Sequence, residues 1–180
     1  MLNKSLSDHI SLGIATVGVG YIPLAPGTWG SAVGVLIYLI FRHFESEILA
    51  LFLHKGFQVS SVYAWAYVIN SILLFGVCAI GIWASTRAAE LLKTKDPQQV
   101  VIDEVMGQLI TFLFIPFINS GWLIFTGFLL FRLFDIWKPY PIDVLQDLPG
   151  GLGVCVDDIL AGIYAGLCLS VVYAVIISFS

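Results

Sequence analysis

Residues 105–131 read VMGQLITFLFIPFINSGWLIFTGFLLF, a run of 27 residues without one charged side chain. An unbroken helix of this length would measure about 40 Å, which is longer than a hydrocarbon core of ~30 Å requires. Pro116 and the turn-forming Asn119-Ser120-Gly121 lie near its middle, where they favour a break. The run is therefore either one kinked crossing or a hairpin of two short helices that returns to its starting side, and we favour the hairpin.

Three further stretches lack Asp, Glu, Lys and Arg, and each is long enough to cross a bilayer. They are His9–Phe41 with 33 residues, Gly56–Thr86 with 31 and Ile159–Ser180 with 22. The chain is 59% hydrophobic and 11% charged, whereas about 25% of a soluble domain is charged. We therefore expect one domain over residues 1–180 with an all-α fold, a polytopic membrane helical bundle with broken or re-entrant helices.

Proline, glycine and charge place the breaks between helices. Tyr21–Thr28 contains two prolines and predicts a break, and Asp96-Pro97 predicts a second one because the residue before proline is disfavoured in a helix. Lys4 before an apolar stretch only weakly resembles a cleavable signal peptide, so we expect the start to be retained. The predicted helices are Trp29–Phe41, Tyr63–Trp83 with a polar extension Ser85–Lys95, and Ile159–Phe179, and the predicted polar connections are Arg42–Lys55 and Arg132–Asp158.

The distribution of Lys and Arg predicts which face of the membrane each connection occupies. With an inside amino terminus and the hairpin, six basic residues lie inside and two, Arg42 and Lys55, lie outside, in agreement with the positive-inside rule. The six are Lys4, Arg87, Lys93, Lys95, Arg132 and Lys138. The same topology gathers the candidate site residues at the cytoplasmic face, whereas a single crossing would divide the carboxylates between the two faces.

Two acidic pairs, Asp103-Glu104 and Asp157-Asp158, adjoin apolar helices. Each pair could simply favour a helix amino terminus. Together with Asp135, however, they are five of only twelve acids, and carboxylates near hydrocarbon are costly unless they are paired, protonated or bound to a cation. Mg²⁺ prefers oxygen ligands, and the chain offers no Cys and His set typical of zinc. We therefore predict that the two pairs hold one or two Mg²⁺ ions.

Basic and hydroxyl side chains near these acids are candidates for binding a phosphate. Arg132 and Asp135 could form an ion pair along one helix, or Arg132 and Lys138 could neutralise phosphate oxygens while Asp135 assists at the metal. Thr28 and Ser31 could bind substrate or cap a helix.

The glycine-rich sequence GGLG, residues 150–153, is a weaker candidate phosphate site. Its backbone amides could approach a phosphate, and the amino terminus of the helix that follows would reinforce that binding.

Several function classes are excluded or disfavoured. The net charge of −4 excludes a broad basic surface for nucleic acid. None of the three cysteines has an Arg six residues later, which excludes a cysteine-nucleophile phosphatase, and the DGxxAR signature of lipid synthases that transfer a phosphoalcohol is absent. A small cation-coupled transporter or channel remains the alternative, although carboxylates gathered at one face argue against it.

Four motifs, read in order, resemble the phosphatidylglycerophosphatase A family. They are PGTWGS (26–31), Asp96-Pro97 with VVIDEV (100–105), FRLFDIWKP (131–139), and GGLG with Asp157-Asp158. The resemblance implies a bacterial inner-membrane enzyme of phospholipid biosynthesis that removes the terminal phosphate of phosphatidylglycerophosphate, requires Mg²⁺, and releases phosphatidylglycerol. The positions it carries over are Thr28, Asp103, Glu104, Asp135, Lys138, Asp157 and Asp158.

Overall fold

A computed structural model describes residues 5–115, 120–146 and 148–179 of the protein, and those residues contain helices and no strand. The helices are α1 (Leu6–Thr16), α2 (Pro26–His54), α3 (Val59–Leu92), α4 (Ile102–Leu113), α5 (Gly121–Trp137), α6 (Ile142–Leu145) and α7 (Gly151–Ser178). The predicted all-α class is confirmed.

Helices α3 and α7 are long and apolar enough to cross a membrane, with mean hydropathies of 2.0 and 2.3 over their most apolar windows. Their large apolar side chains face outwards, since Phe75 is 78% and Val171 is 64% exposed. Soluble monomers rarely expose contiguous apolar surfaces of this extent. These helices and surfaces indicate a membrane protein.

Helices α4 and α5 form an antiparallel pair. Gly107, early in α4, packs against Phe131, late in α5, and Gly127 packs against Phe112. The structure thus agrees with a helical hairpin and not with a single kinked helix. The predicted turn residues Pro116 and Asn119 lie outside the described residues.

The other long helices pack around this pair with alternating directions. Helices α2, α4 and α7 run parallel to one another, and α3 and α5 run the opposite way. Two contacts fix the direction of each helix. For the helices parallel to α4 they are Gly27–Glu104 and Tyr38–Phe112 in α2, and Gly107–Asp158 and Gly166–Phe114 in α7. For the antiparallel helices they are Asn70–Glu45 and Gly81–Met106 in α3, and Lys138–Asp157 and Gly127–Leu169 in α5. The amino termini of α2, α4 and α7 therefore meet the carboxyl termini of α3 and α5 at one end of the bundle.

Two predicted helix boundaries in the first half of the chain were wrong. Helix α2 continues to His54 through most of the predicted connection, because Arg42 pairs with Glu45 at 3.4 Å and Asn70 of α3 donates to Glu45 at 2.7 Å. These contacts hold the polar residues in a helix. Helix α3 unites the predicted crossing with its polar extension and ends at Leu92, before the predicted break.

The predicted polar loop from Arg132 to Asp158 was also wrong. Helix α5 continues through Trp137, α6 occupies part of the connection, and α7 begins at Gly151, ahead of the predicted start at Ile159. The backbone N–H of Gly151 donates to Oγ1 of Thr86 at 3.0 Å, so a side chain of α3 caps α7. A Cβ on Gly151 would collide with that threonine, and a glycine is therefore compatible with this helix start.

Candidate active site

Asp103, Glu104 and Asp158 form a group of carboxylates at the end of the bundle where three helices begin. One oxygen from each lies within 4.8 Å of the others. Asp103 and Glu104 occupy the first turn of α4, as predicted, whereas Asp158 lies two turns inside α7. Asp103 is 7% and Asp158 is 3% exposed. Several buried oxygen ligands at this spacing suit a hard divalent cation.

The electrostatics of the group favour the uptake of positive charge. Burial raises the pKa of Asp103 well above its usual range, and the adjacent charge of Glu104 raises it further. Burial also raises the pKa of Glu104. Oε2 of Glu104 is buried and has no hydrogen-bond partner among the described residues. An oxygen in that state is suited to ligating a metal.

Asp157 is placed against Lys138 and not in the group of three carboxylates. Nζ of Lys138 donates to Oδ2 of Asp157 at 2.7 Å, and Asp157 is 4% exposed. Burial lowers the pKa of Lys138, but the hydrogen bond and the charge of Asp157 outweigh it, and the pKa of Lys138 lies above its usual range. Oδ1 of Asp157 is buried and accepts no hydrogen bond within the part of the chain that the structure describes. The four carboxylates predicted as one ligand set thus divide into a group of three and an ion pair.

Arg132 and Asp135 form the ion pair that their spacing allowed, because α5 continues as a helix through both residues. Nη1 of Arg132 also donates to Oγ of the fully buried Ser31 at 3.4 Å. Nε of Arg132 is buried and has no hydrogen-bond partner among the described residues. A Cβ on Gly27 would lie 3.1 Å from Nη1 of Arg132 and closer still to the carboxylate of Glu104. Gly27 therefore lets the start of α2 approach both side chains.

The remaining predicted residues contribute less directly. Thr28 is exposed near the start of α2, and its hydroxyl makes no hydrogen bond to the described residues. Residues 151–153 form the start of α7 and not a loop in front of it, and Gly150 precedes the helix with a φ of 66°.

Two features of the site were missed from the sequence. The Lys138–Asp157 pair joins α5 to α7 across nineteen positions, a contact that local spacing does not reveal. Gln108 lies one turn after Glu104 on α4 and is fully buried, and neither Oε1 nor Nε2 has a hydrogen-bond partner among the described residues. The sequence signal for Gln108 was an amide side chain within an apolar run.

Two helix amino termini, those of α2 and α4, lie at these side chains, and each carries a partial positive charge. They meet where Gly27 contacts Glu104, whereas Asp157 and Asp158 lie two turns inside α7. Such ends bind phosphate well. The site therefore combines carboxylates suited to a cation with cations and helix ends suited to a phosphate.

Comparison with known proteins identifies the family. The family model for phosphatidylglycerophosphatase A matches residues 14–173. The chain belongs to the phosphatidylglycerophosphatase A family. This membership confirms the predicted class of enzyme, a phosphatase of phospholipid metabolism, and does not favour a transporter.

Three curated relatives extend over most of the chain. Phosphatidylglycerophosphatase A of Haemophilus influenzae is 33% identical over 162 residues, covering 89% of this chain and 86% of the relative. Phosphatidylglycerophosphatase A of Escherichia coli K12 is 28% identical over 147 residues, covering 81% and 73%. A protein of Bacteroides thetaiotaomicron provisionally named phosphatidylinositol-3-phosphatase is 33% identical over 155 residues, covering 86% and 87%. No solved structure matches the chain.

Proposed function

We propose that this member of the family is a Mg²⁺-dependent enzyme that hydrolyses the terminal phosphate monoester of phosphatidylglycerophosphate to phosphatidylglycerol and inorganic phosphate. The observation that carries the proposal is the group of three carboxylates, two of them buried and Glu104 partly buried, beside Lys138 and Arg132 near the amino termini of α2 and α4. Residues 1–180 act as a single domain, because the site takes side chains from α2, α4, α5 and α7 together.

Asp103, Glu104 and Asp158 are the residues that would hold Mg²⁺. Their spacing, and the oxygen of Glu104 that no described residue pairs with, fit a cation that prefers oxygen ligands. The bound ion would neutralise phosphate charge and lower the pKa of a water molecule.

Lys138 and Arg132 bind the phosphate oxygens. Asp157 holds the ammonium group of Lys138 at 2.7 Å, and Asp135 and Ser31 orient the guanidinium group of Arg132. Both cations are thereby fixed before substrate arrives, which is how positioning and charge stabilisation accelerate phosphoryl transfer. Thr28, exposed at the start of α2, lies where a headgroup could reach it.

Hydrolysis requires one bond to form at phosphorus and one to break. The oxygen of water bonds to phosphorus, the bond from phosphorus to the glycerol oxygen breaks, and its electron pair leaves on that oxygen, which then takes up a proton. Oδ1 of Asp157, which has no hydrogen-bond partner among the described residues, accepts the proton of the attacking water. If an aspartate attacked phosphorus directly instead, borohydride treatment would trap a phosphoaspartate.

The site lies at the cytoplasmic face of a bacterial inner membrane in a multi-pass topology. The proposal is supported by the six-to-two distribution of basic residues and by the apolar helices α3 and α7. In a background without native cysteines, Lys93→Cys should react with a membrane-impermeant thiol reagent only from the cytoplasmic side, and Lys55→Cys only from the outside. The reverse pattern would overturn the orientation.

A substrate panel tests the reaction itself. Purified protein is assayed with phosphatidylglycerophosphate, phosphatidic acid and phosphatidylinositol 3-phosphate, the last because of the name that one relative carries. We expect the highest kcat/KM with phosphatidylglycerophosphate. Asp158→Asn should lose at least about 1,000-fold in kcat, and Asp143→Asn, which changes an exposed acid of α6, should keep full activity. A preference for phosphatidylinositol 3-phosphate would reassign the substrate.

A further inference from the structure

Gln108 is a buried polar side chain in the described part of the bundle that the mechanism above does not use. It is fully buried, and neither its carbonyl oxygen nor its amide nitrogen has a hydrogen-bond partner among the described residues. Thr111, one turn further along α4, is equally buried, but its hydroxyl donates to the carbonyl oxygen of Gly107 at 3.0 Å. An amide that satisfies neither of its polar atoms destabilises the fold unless a ligand pairs with it.

The position of Gln108 connects it to the active site. It follows Glu104 by four residues, so both side chains lie on the same face of α4, with Gln108 about 6 Å further along the helix. That face packs against α2. A Cβ on Gly34 would lie 2.8 Å from Cβ of Gln108, and a Cβ on Gly30 would lie 3.3 Å from Cβ of Glu104. The amide therefore lies beneath the carboxylates, in the direction away from the helix amino termini.

A lipid substrate would place a particular group at this depth. With the terminal phosphate at the carboxylates, the lipid would continue towards its acyl chains as glycerol and then the phosphodiester, which is the direction in which Gln108 lies. The glycerol carries one free hydroxyl between the two phosphates, and a hydroxyl both donates and accepts. A glutamine amide offers the complementary acceptor and donor.

We propose that Gln108 binds the free hydroxyl of the headgroup glycerol and thereby selects lipids in which a hydroxylated carbon chain joins the two phosphates. This inference rests on the proposed phosphatase function. Gln108 is a specificity residue in this account, and it takes no part in the transfer of the phosphoryl group.

The test combines a change in the protein with a change in the substrate. Wild-type protein and Gln108→Leu are assayed on phosphatidylglycerophosphate and on an analogue in which 1,3-propanediol replaces the glycerol, so that only the middle hydroxyl is missing. We expect Gln108→Leu to lose at least about tenfold in kcat/KM on the natural headgroup, the size of one good hydrogen bond. On the analogue, wild type and variant should be equal.

Thermal unfolding separates this role from a structural one. Leucine removes the unpartnered amide at similar volume, so Gln108→Leu should unfold at the same temperature as wild type or higher. The matched control Thr111→Val removes a buried hydroxyl that is already paired. It should unfold at a lower temperature and keep the wild-type ratio of kcat/KM between the two substrates.

Each outcome supports or overturns the proposal. An equal loss on both substrates, no loss on either, or a lower unfolding temperature for Gln108→Leu would overturn the role of Gln108 while leaving the phosphatase function intact. No phosphate release by wild type from either lipid would instead overturn the proposed function, and the role of Gln108 with it.

Discussion

Replacing Asp158 by asparagine should stabilise the protein when metal is removed and should abolish its stabilisation by Mg²⁺. Asp158 lies within 4.8 Å of one oxygen of Asp103 and one of Glu104. At an effective dielectric constant near 20, two negative charges at that distance repel by about 3.5 kcal/mol. Asparagine has nearly the same shape as aspartate and removes the repulsions between Asp158 and its neighbours, which are Asp103, Glu104, Asp135 and Asp157.

Protonation limits the size of this effect. Protonating a carboxyl group of ordinary pKa at pH 7 costs a free energy of about 4 kcal/mol. A carboxylate under stronger repulsion would take up a proton instead, so the substitution relieves at most about that much repulsion. For a chain of this size, 1 kcal/mol shifts the unfolding temperature by roughly 2 to 4 °C. We therefore expect Asp158→Asn to raise the unfolding temperature in excess EDTA by up to roughly 8 to 16 °C.

Magnesium should narrow or close the difference in unfolding temperature between the two proteins. A ligand present at a hundred times its dissociation constant stabilises the folded state by about 2.7 kcal/mol, which should raise the wild-type unfolding temperature by roughly 5 to 11 °C. Asp158→Asn should gain little from the same addition. The assay is thermal unfolding of detergent-purified protein, with Asp143→Asn as the control that should follow wild type in both conditions.

The reasoning fails if Asp158→Asn lowers the unfolding temperature in EDTA while Mg²⁺ raises it equally in both proteins. The carboxylates would then stabilise the fold through contacts of their own, and Mg²⁺ would act at another place.

Three further predictions concern the ion pairs and the packing. Lys138→Met should lower kcat by about 100-fold or more at saturating lipid, since it removes a fixed cation from the phosphate, whereas Lys55→Met at the far end of α2 should have no effect on the assay. Gly162→Leu should prevent folding, because a Cβ there collides with the backbone of Gly107. The readout is loss of the monodisperse peak in size-exclusion chromatography. Gly76→Leu, with open space around it, should fold and keep that peak. Asp8→Asn should lower the unfolding temperature at neutral pH. Hydrogen bonds from the backbone of Ser5 and the side chain of Arg87 lower the pKa of Asp8 in the folded protein. The stabilisation by Asp8 is therefore present above about pH 4 and is lost as the pH falls through the lowered pKa. A difference between wild type and Asp8→Asn that persisted in stronger acid would contradict that assignment.

The sequence predicted the elements that charge and turn residues mark directly. Asp103-Glu104 stands at the start of α4 because the acidic pair precedes an apolar run, and the central proline and asparagine of that run predicted the hairpin. The family was recognisable because its motifs keep their order along the chain.

The boundaries that failed depend on contacts between distant residues. Arg42 and Glu45 look like loop residues until Asn70 of α3 is placed beside them. Gly151 looks like a turn until Thr86 caps it from another helix. Local composition weighs against a helix at both places, and tertiary contacts reverse that preference.

The candidate site was only partly predictable for the same reason. The residue types that suit a metal were evident from their scarcity in an apolar chain, but their grouping was not. The pairing of Lys138 with Asp157 follows from how α5 packs against α7, and the burial of Gln108 without a partner among the described residues follows from how α2 packs against α4.

Phosphate release from phosphatidylglycerophosphate by the detergent-purified protein, measured across a titration of Mg²⁺ and again with excess EDTA, tests the central claim most directly. The account predicts release that rises to saturation with Mg²⁺, stops in EDTA, and returns when Mg²⁺ is restored. Release at an unchanged rate in EDTA would contradict the metal site, and no release under any of these conditions would contradict the proposed reaction.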